Sequence, residues 1–231
     1  MRFDVVTLFP ELFGPFVETS FVGRAVETGA ATFRFESPRE HGIGKHRSVD
    51  DTPYGGGSGM VMRVDCIVDA LEALDARADA RAHRVLLTPQ GRPFDQGKAV
   101  ELAARPAVAL VCGRYEGFDE RVRAFVDEEL SLGDFVMTGG EVCAMAIIEA
   151  TVRLLPGVLG NEASTKEESH SPDADGLLEY AQYTRPAEFR GLGVPEVLKG
   201  GNHAEIARHR ARERVERTAA RRPDLLAKKA T

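Results

Sequence analysis

The sequence predicts an α/β protein with a mostly parallel sheet, followed by a smaller helical domain. Three observations predict this: short apolar runs alternate with helical patterns, a polar segment without periodicity spans residues 157–175, and a basic helical pattern follows it. The chain has 231 residues, of which 43% are apolar, and this is enough for a sizeable core. We therefore expect a globular protein with one main domain and an appended smaller one.

Each element of the first domain follows from its local pattern. The apolar run Phe3–Leu8 predicts a buried strand, and a helix is expected from about Glu11. Apolar residues at helical spacing predict a long helix over Val64–Ala80. The later pattern predicts, in order, a strand at Arg84–Thr88, a helix at Gln96–Ala104, a strand at Ala107–Cys112, a helix around Phe118–Phe125, a strand near Glu128–Leu132 and a helix at Glu141–Leu155.

Unusual residues follow three of the predicted strands. Parallel sheets bind ligands beyond the carboxyl ends of their strands, so these loops are candidate binding elements. Gly133, Gly139 and Gly140 let a backbone approach closely. The carboxylates of Glu116 and Asp134 can accept hydrogen bonds from a ribose or an amine. The three loops are Thr88–Arg92, Gly113–Glu120 and Leu132–Glu141.

A fourth glycine-rich segment, Asp50–Met60, places four glycines in five positions after two carboxylates. It is not a phosphate-binding P-loop, because Gly59 is followed by Met60 and not by Lys. It also lacks the third glycine of the dinucleotide pattern. Its alternating glycines match many methyl-donor sites, but those follow a buried strand, whereas the preceding segment is polar and contains Pro53. Two interpretations of this segment remain possible: its backbone holds a ligand, or it is a flexible turn.

Composition narrows the location and the chemistry. No apolar stretch approaches the roughly 20 residues of a membrane helix, and the N-terminus lacks the pattern of a signal peptide. We expect a cytoplasmic protein with no membrane partner. Cys66, Cys112 and Cys143 are odd in number, far apart and in apolar contexts, so buried free thiols are expected. No metal-ligand spacing is visible.

The net charge of −6 hides an asymmetry along the chain. Residues 201–231 contain 9 Lys and Arg against 4 Asp and Glu, so the C-terminus is basic while the rest is acidic. A basic helix from about Ala204 to Arg217 suits a nucleic-acid backbone, because each neutralised phosphate releases counterions. The alternative is a solvated helix face.

The chain resembles the bacterial tRNA (guanine-N1)-methyltransferase family, which belongs to the knotted SPOUT methyltransferases. The resemblance extends in order over nearly the whole chain. It is carried by Gly23–Ala25, His46–Met60, Pro89–Arg92, Val111–Arg121, Gly133–Glu141, Pro156–Gly160, Tyr183–Pro186 and Gly201–Ile206.

The resemblance implies a SPOUT-type parallel sheet with a deep trefoil knot near residues 86–143 and a homodimer whose partner closes the site. The implied domains are a knotted cofactor-binding domain at 1–160, a flexible linker or lid at 161–175 and a helical tRNA-binding domain at 176–231. Family members often have proline where this chain has Cys143. The implied S-adenosylmethionine contacts are Leu87, Pro89, Gly113, Glu116, Leu132, Gly133, Asp134, Phe135, Val136, Met137, Gly139 and Gly140.

The resemblance also assigns the catalytic groups. The sulfonium donor already carries a good leaving group, so the enzyme has to align the methyl group with guanine N1 and remove the N1 proton. The resemblance implies Glu168 as the base and Arg153 as the group that stabilises charge on O6. The family usually has Asp at the position of Glu168, so a shifted register with Asp173 or Asp175 as the base is the alternative.

The implied substrate is tRNA with guanosine at position 37, just 3′ of the anticodon, and Mg²⁺ dependence is a family expectation. A base methylated on its Watson–Crick edge must be unpaired, which suits this loop position. The rival hypotheses are a knotted methyltransferase with another RNA target and a non-catalytic RNA-binding module. The candidate tRNA-binding residues are His46, Arg47, Asp50, Arg185, His203 and Arg208.

Overall fold

The computed structural model describes residues 1–160 and 164–227, with only the backbone described for Ser164 and Lys166. The chain divides into two compact units, Met1–Gly160 and Asn161–Thr231. Residues 161–163 of the predicted linker and residues 228–231 of the predicted C-terminal domain lie outside the described residues.

A five-stranded, fully parallel sheet forms the centre of the first unit, with the strand order β2-β1-β6-β5-β7. This confirms the predicted mixed α/β class with a central parallel sheet. Two further short strands, β3 and β4, pair antiparallel outside this sheet. The strands are β1 (Arg2–Val6), β2 (Thr32–Glu36), β3 (Asp50–Asp51), β4 (Val61–Met62), β5 (His83–Pro93), β6 (Ala107–Cys112) and β7 (Glu128–Ser131).

The central strand β6 explains why the sheet has a core on each face. All six of its residues are buried, as expected for an apolar strand inside a parallel sheet. Successive side chains of a strand point to opposite faces. Val108, Leu110 and Cys112 belong to one buried apolar cluster. Ala107, Ala109 and Val111 belong to the other. Helices therefore cover both faces.

Five α-helices pack around this sheet. The helix α4 begins at a side-chain cap, because Asp95 Oδ1 accepts a hydrogen bond from the Lys98 amide at 2.9 Å. The helix α5 starts directly after Gly140, which places its first residue, Glu141, at the sheet edge that carries the loops. The helices are α1 (Gly14–Val17), α2 (Ser20–Glu27), α3 (Val64–Asp75), α4 (Gln96–Ala103) and α5 (Glu141–Val152).

Several predicted boundaries are wrong. The helix expected from Glu11 is a 3-10 turn at Pro10–Phe13 followed by the four-residue α1, because Pro15 has no amide to donate to the Glu11 carbonyl in a continuous helix. The helix expected to reach Ala80 ends at Asp75, just after its last buried residue, Leu74. The helix expected around Phe118–Phe125 is a 3-10 helix that begins at Glu120 and ends at Phe125. The strand β5 continues past Thr88 to Pro93, and α5 ends at Val152 and not at Leu155.

The second unit is mainly helical. Its longest element is the basic helix α8 (His203–Arg221), which exceeds the predicted range at both ends. The Asn202 side chain caps it by accepting from the Glu205 amide at 3.3 Å. Its other described elements are a 3-10 helix at Pro172–Ala174 and α6 (Ser164–Glu167), β8 (Glu188–Phe189), β9 (Leu192–Gly193), α7 (Glu196–Lys199) and α9 (Pro223–Ala227). Among the described residues, no helix has the length and apolar character needed to span a membrane.

Candidate functional site

The three strand-end loops of the first unit meet around one cavity of about 270 Å³. Ligand pockets commonly have volumes of about 300–1,000 Å³, and this cavity lies just below that range, so it suits a small ligand. Of the twelve predicted cofactor contacts, only Asp134 is absent from its lining, and that residue is exposed. The eleven that line the cavity are Leu87, Pro89, Gly113, Glu116, Leu132, Gly133, Phe135, Val136, Met137, Gly139 and Gly140.

The first wall is a bulge in β5. Leu87 and Arg92 both pair with Leu130 of β7, so the residues between them leave the regular ladder. This turns Thr88, Pro89 and Gln90 toward the cavity. Gly91 closes the bulge, because a Cβ atom there would lie 2.5 Å from the Leu130 amide nitrogen. The bulge therefore depends on glycine at this position.

The second wall is the loop after β6. Gly113 lies against the Phe118 ring, and a Cβ atom there would be 2.7 Å from the Phe118 Cε2 atom. Tyr115 and Gly117 both have positive φ, at 59° and 120°, which turn the loop back on itself. The loop therefore combines close packing with two left-handed turns.

The third wall, residues 132–140, is held against the second. The Gly140 amide donates to the Gly113 carbonyl at 3.0 Å. A Cβ atom on Gly140 would lie 2.8 Å from the Cys112 Cα atom, and one on Gly139 would lie 2.3 Å from Arg114 Nε. A side chain on Gly140 would therefore collide with backbone, whereas one on Gly139 would collide with the end of the Arg114 side chain, which would have to move.

A buried carboxylate lies behind these two walls. Glu141 is 2% exposed and accepts a hydrogen bond from the Thr7 hydroxyl at 2.9 Å. Arg114 Nη2 lies 3.0 Å from Glu141 Oε2, at ion-pair distance but without the alignment of a hydrogen bond. The Arg114 guanidinium also lies 4.5 Å from the centroid of the Phe9 ring. Glu141 thus joins the end of β1, the second wall and the start of α5.

Two thiols adjoin the same region, and all three cysteines are free and buried, as predicted. Burial raises the pKa of Cys143, which lines the cavity, to about 11. Burial, and then the nearby Glu141 carboxylate, raise the pKa of Cys112 well above its usual value. Both thiols therefore stay protonated and unreactive near neutral pH.

The glycine-rich segment Asp50–Met60 is attached to the second wall. The Glu116 amide donates to the Met60 carbonyl at 3.0 Å, and the Met62 amide donates to the Gly117 carbonyl at 2.9 Å. Burial raises the pKa of Tyr115, and the neighbouring Asp50 carboxylate raises it further. Asp50, a predicted tRNA contact, therefore lies beside a residue that lines the cavity.

The tip of this segment is open to solvent. The Tyr54 side chain is fully exposed, and Gly55 and Gly56 have positive φ with no other atom near the position of a Cβ. Gly59 differs, since a Cβ atom there would lie 2.4 Å from Glu116 Oε1. The segment thus has an exposed tip and a base packed on the cavity wall.

The other predicted tRNA-binding residues lie on the surfaces of the two units. His46 and Arg47 are exposed in the first unit, where Arg47 pairs with Glu40 at 3.0 Å. Arg185, His203 and Arg208 are exposed in the second unit, the last two on α8. Their role stays a prediction.

The two predicted catalytic residues belong to different units. Arg153 is half-buried at the C-terminal end of α5 in the first unit. Glu168 is half-buried in the second unit, directly after α6, and its carbonyl accepts from the Ser171 amide at 3.3 Å. Of the alternative bases, Asp173 and Asp175 are both exposed, and Asp175 has φ of 59°. The assignment of the base stays a prediction.

Several residues that lie in or behind the cavity were not predicted from the sequence. Arg114, Tyr115 and Phe118 line it, and all three lie inside a loop that the sequence had singled out. Glu141 ends another such loop, but its contact with Thr7 gave no signal, because only the fold brings β1 next to α5. Among the described residues, no three His, Cys, Asp or Glu side chains gather in a metal-binding arrangement.

Comparison with known proteins identifies similar chains. Residues 1–228 match the family model described as tRNA (Guanine-1)-methyltransferase TrmD. A tRNA (guanine-N(1)-)-methyltransferase of Sorangium cellulosum is 69% identical over 97% of this chain and 93% of that protein. Proteins of the same name from Syntrophotalea carbinolica and Synechococcus sp. are 55% and 52% identical, covering 98% and 97% of this chain and 90% and 91% of their own.

Proposed function

Because the chain belongs to the tRNA (guanine-N1)-methyltransferase family, and is thus an enzyme that methylates guanine in tRNA, we propose that its methyl donor is S-adenosylmethionine, bound in the strand-end cavity. The observation that carries this proposal is the convergence of three separate loops, with eleven of the twelve implied donor contacts, on a single cavity. We further propose that the target is guanosine 37.

The residues of the cavity suit this donor. The side chains of Leu87, Leu132 and Met137 offer apolar contacts for an adenine ring. The Glu116 carboxylate can accept from ribose hydroxyls or from an amino group. Gly139 and Gly140 leave backbone uncovered where any side chain would collide with neighbouring atoms. When bound, S-adenosylmethionine supplies a methyl group on a positively charged sulfonium.

The protein then has to orient guanine and remove its N1 proton. We assign proton removal to the Glu168 carboxylate, which gains the proton as electron density develops on N1 and O6. The Arg153 guanidinium stabilises the charge on O6. Asp173 and Asp175 remain the alternatives to Glu168, and variants of all three acids distinguish them.

The glycine-rich segment of the first unit and α8 of the second are each assigned to tRNA binding. Asp50 can accept hydrogen bonds from the N1 and N2 groups of a guanine, and the open tip beside it has room for an unpaired base. Phosphate contacts are assigned to His46, Arg47 and Arg185, and on α8 to His203 and Arg208. Each of these five side chains is exposed.

The knot, the homodimer and the cytoplasmic location are also proposals. The contact of Gly140 with Gly113 supports a chain that threads past the loop after β6. Phe135, Val136 and Val142 are 55%, 86% and 61% exposed, and a second copy of the chain would cover this apolar group. Titration with a chelator tests the Mg²⁺ dependence that the family resemblance implies.

The decisive experiment transfers labelled methyl groups from S-adenosylmethionine to tRNA transcripts that carry G or A at position 37. We expect label only in the G37 transcript, and equal labelling of both would refute the target.

Glu168→Gln should abolish turnover but retain cofactor affinity in calorimetry, and full activity would exclude Glu168 as the base. Asp50→Ala should weaken methylation of tRNA with unchanged cofactor affinity.

A further inference from the structure

We propose that Tyr180 is a positioning residue for Glu168, acting through the neighbouring Glu167 and the basic helix α8. The inference rests on the proposed role of Glu168 as the base. All the contacts that carry it lie inside the second unit, among residues 167–218. They concern a tyrosine to which no function has been assigned above.

Both chain neighbours of Glu168 are held by hydrogen bonds. The Glu167 side chain accepts from the Tyr180 hydroxyl at 2.8 Å. The Glu167 backbone carbonyl accepts from Arg214 Nη2 at 2.7 Å. On the other side, the Ser169 hydroxyl accepts from the Glu179 amide at 2.9 Å. Glu168 therefore lies between two anchored residues.

Tyr180 is itself anchored on α8. The Arg210 guanidinium lies 4.4 Å from the centroid of the Tyr180 ring, and that of Arg214 lies 5.8 Å away. Burial raises the pKa of Tyr180, and its hydrogen bond to Glu167 raises it further, so the hydroxyl stays protonated and remains a donor. The tyrosine thus connects the helix to the segment that carries Glu168.

A second, buried contact fixes the register of this connection. Thr218 of α8 is 0% exposed, and its hydroxyl accepts from the Leu178 amide at 3.0 Å. The same hydroxyl donates to the Arg214 carbonyl at 2.7 Å. The chain between Ser169 and Leu177 closes on itself, since the His170 amide donates to the Leu177 carbonyl at 3.0 Å. The base-bearing segment and α8 therefore form one body.

This arrangement gives Tyr180 a role distinct from folding. A general base must hold its carboxylate within hydrogen-bond distance of the proton it removes, and a small displacement of a catalytic group can lower the rate by about 100-fold. Loss of the Tyr180 hydroxyl would release the Glu167 side chain while α8 and the Thr218 contact remain. The expected defect is therefore in turnover and not in binding.

The test compares Tyr180→Phe with Tyr183→Phe in methylation of G37 tRNA by the full-length chain. Tyr180→Phe removes the hydroxyl and keeps the ring under Arg210. We expect kcat to fall about 10-fold. The KM values for tRNA and S-adenosylmethionine should each change by less than about twofold, and the melting temperature by less than about 2 °C. The control Tyr183→Phe removes a hydroxyl from an exposed tyrosine in the same unit and should leave kcat unchanged.

A double variant tests whether the effect passes through Glu167. If the hydroxyl acts by holding Glu167, Tyr180→Phe combined with Glu167→Ala should be no slower than the slower single variant. An unchanged kcat in Tyr180→Phe overturns the inference, as does a loss confined to tRNA affinity. If Glu168→Gln is inactive while Tyr180→Phe is fully active, only this inference fails. Full activity of Glu168→Gln refutes the proposed base and this inference with it.

Discussion

Two glycine-rich regions of the first unit use glycine for different physical reasons. Around the cavity, Gly113, Gly139 and Gly140 have ordinary φ values, but a Cβ atom on any of them would lie within 2.8 Å of another atom. At the tip of the glycine-rich segment, Gly55 and Gly56 have φ of 88° and 78°, and no atom lies near the position of a Cβ. The cavity glycines provide space, whereas the tip glycines provide backbone shape.

The difference indicates which region is rigid before substrate arrives. The walls of the cavity are packed against each other and against the buried Glu141, so their shape is fixed by neighbouring atoms. The exposed tip has no such support from packing within the described part of the first unit. The proposed donor site is therefore largely preformed, and the proposed guanine site is shaped mainly by local backbone conformation.

The largest effect is expected for Gly140→Ala. The new Cβ atom would lie 2.8 Å from the Cys112 Cα atom and 3.0 Å from the Gly113 nitrogen, so two backbone segments must separate. We expect at least a 100-fold loss of cofactor affinity by calorimetry and about 1–3 kcal/mol lower stability. The matched control is Gly14→Ala, where no atom lies within 4 Å of the added Cβ atom. Normal cofactor binding by Gly140→Ala would refute the idea that close packing at Gly140 determines the shape of the cavity.

Glu141→Gln should have the next largest effect. The amide keeps the size of the side chain and can still accept from Thr7, but Arg114 loses its buried counter-charge. We expect about 1–3 kcal/mol lower free energy of unfolding and about 10-fold weaker cofactor binding, since the second and third walls lose a shared anchor. Denaturant melts and calorimetry measure the two quantities.

The control for this prediction is Glu101→Gln on α4. Glu101 also pairs with a lysine and an arginine, but its side chain is 46% exposed. Exposed ion pairs contribute about 0–1 kcal/mol. The Lys98 partner is buried but keeps its ion pair with Glu128 at 2.9 Å, so this change should be almost silent. Equal effects of the two substitutions would show that burial of Glu141 is unimportant.

Gly59→Ala examines the position where the two regions meet. Gly59 combines a φ of 85° with a predicted collision at the Glu116 side chain. We expect a loss of about 1–2 kcal/mol from the left-handed conformation and about 5-fold weaker binding of both cofactor and tRNA. If only one of the two ligands, cofactor or tRNA, binds more weakly, the Glu116 contact does not couple the two regions.

The smallest effect is expected for Gly56→Ala. Its Cβ atom meets no neighbour, so only the backbone conformation at φ of 78° is penalised. The apparent KM for tRNA should rise about 2- to 5-fold, as a local penalty of roughly 1 kcal/mol allows, with cofactor affinity unchanged. Weaker cofactor binding in this variant would contradict the separation of the two regions.

The sequence predicted most of the sheet because apolar runs report burial directly. The predicted strand Ala107–Cys112 coincides with β6, and four of the five sheet strands connect through the expected alternation with helices. The strand β2 was missed, because the predicted strands were continuous apolar runs. Thr32–Glu36, at the sheet edge, instead alternates polar and aromatic residues. Helix ends were less predictable, because capping and proline effects act on single residues.

The cavity was predictable in outline, and the contacts that hold it were not. Strand-end loops converge in any parallel sheet, so a site at this edge follows from the order of the elements. The glycine pattern cannot distinguish space from backbone shape, as Gly140 and Gly56 illustrate. Contacts between residues far apart in sequence, such as Thr7 with Glu141, require the folded chain. The contacts that attach the segment around Glu168 to α8 also join residues far apart in sequence, so they too require the folded chain.

The thiol of Cys143 offers a route to selective chemical labelling. It lines the proposed donor cavity but is only 4% exposed, and its pKa of about 11 keeps it protonated at neutral pH. General alkylating reagents should therefore spare it. A reversible ligand that fills the cavity would hold a mild electrophile beside this sulfur at high effective concentration. Such a covalent probe would label Cys143 in preference to Cys66 and Cys112, which do not line the cavity.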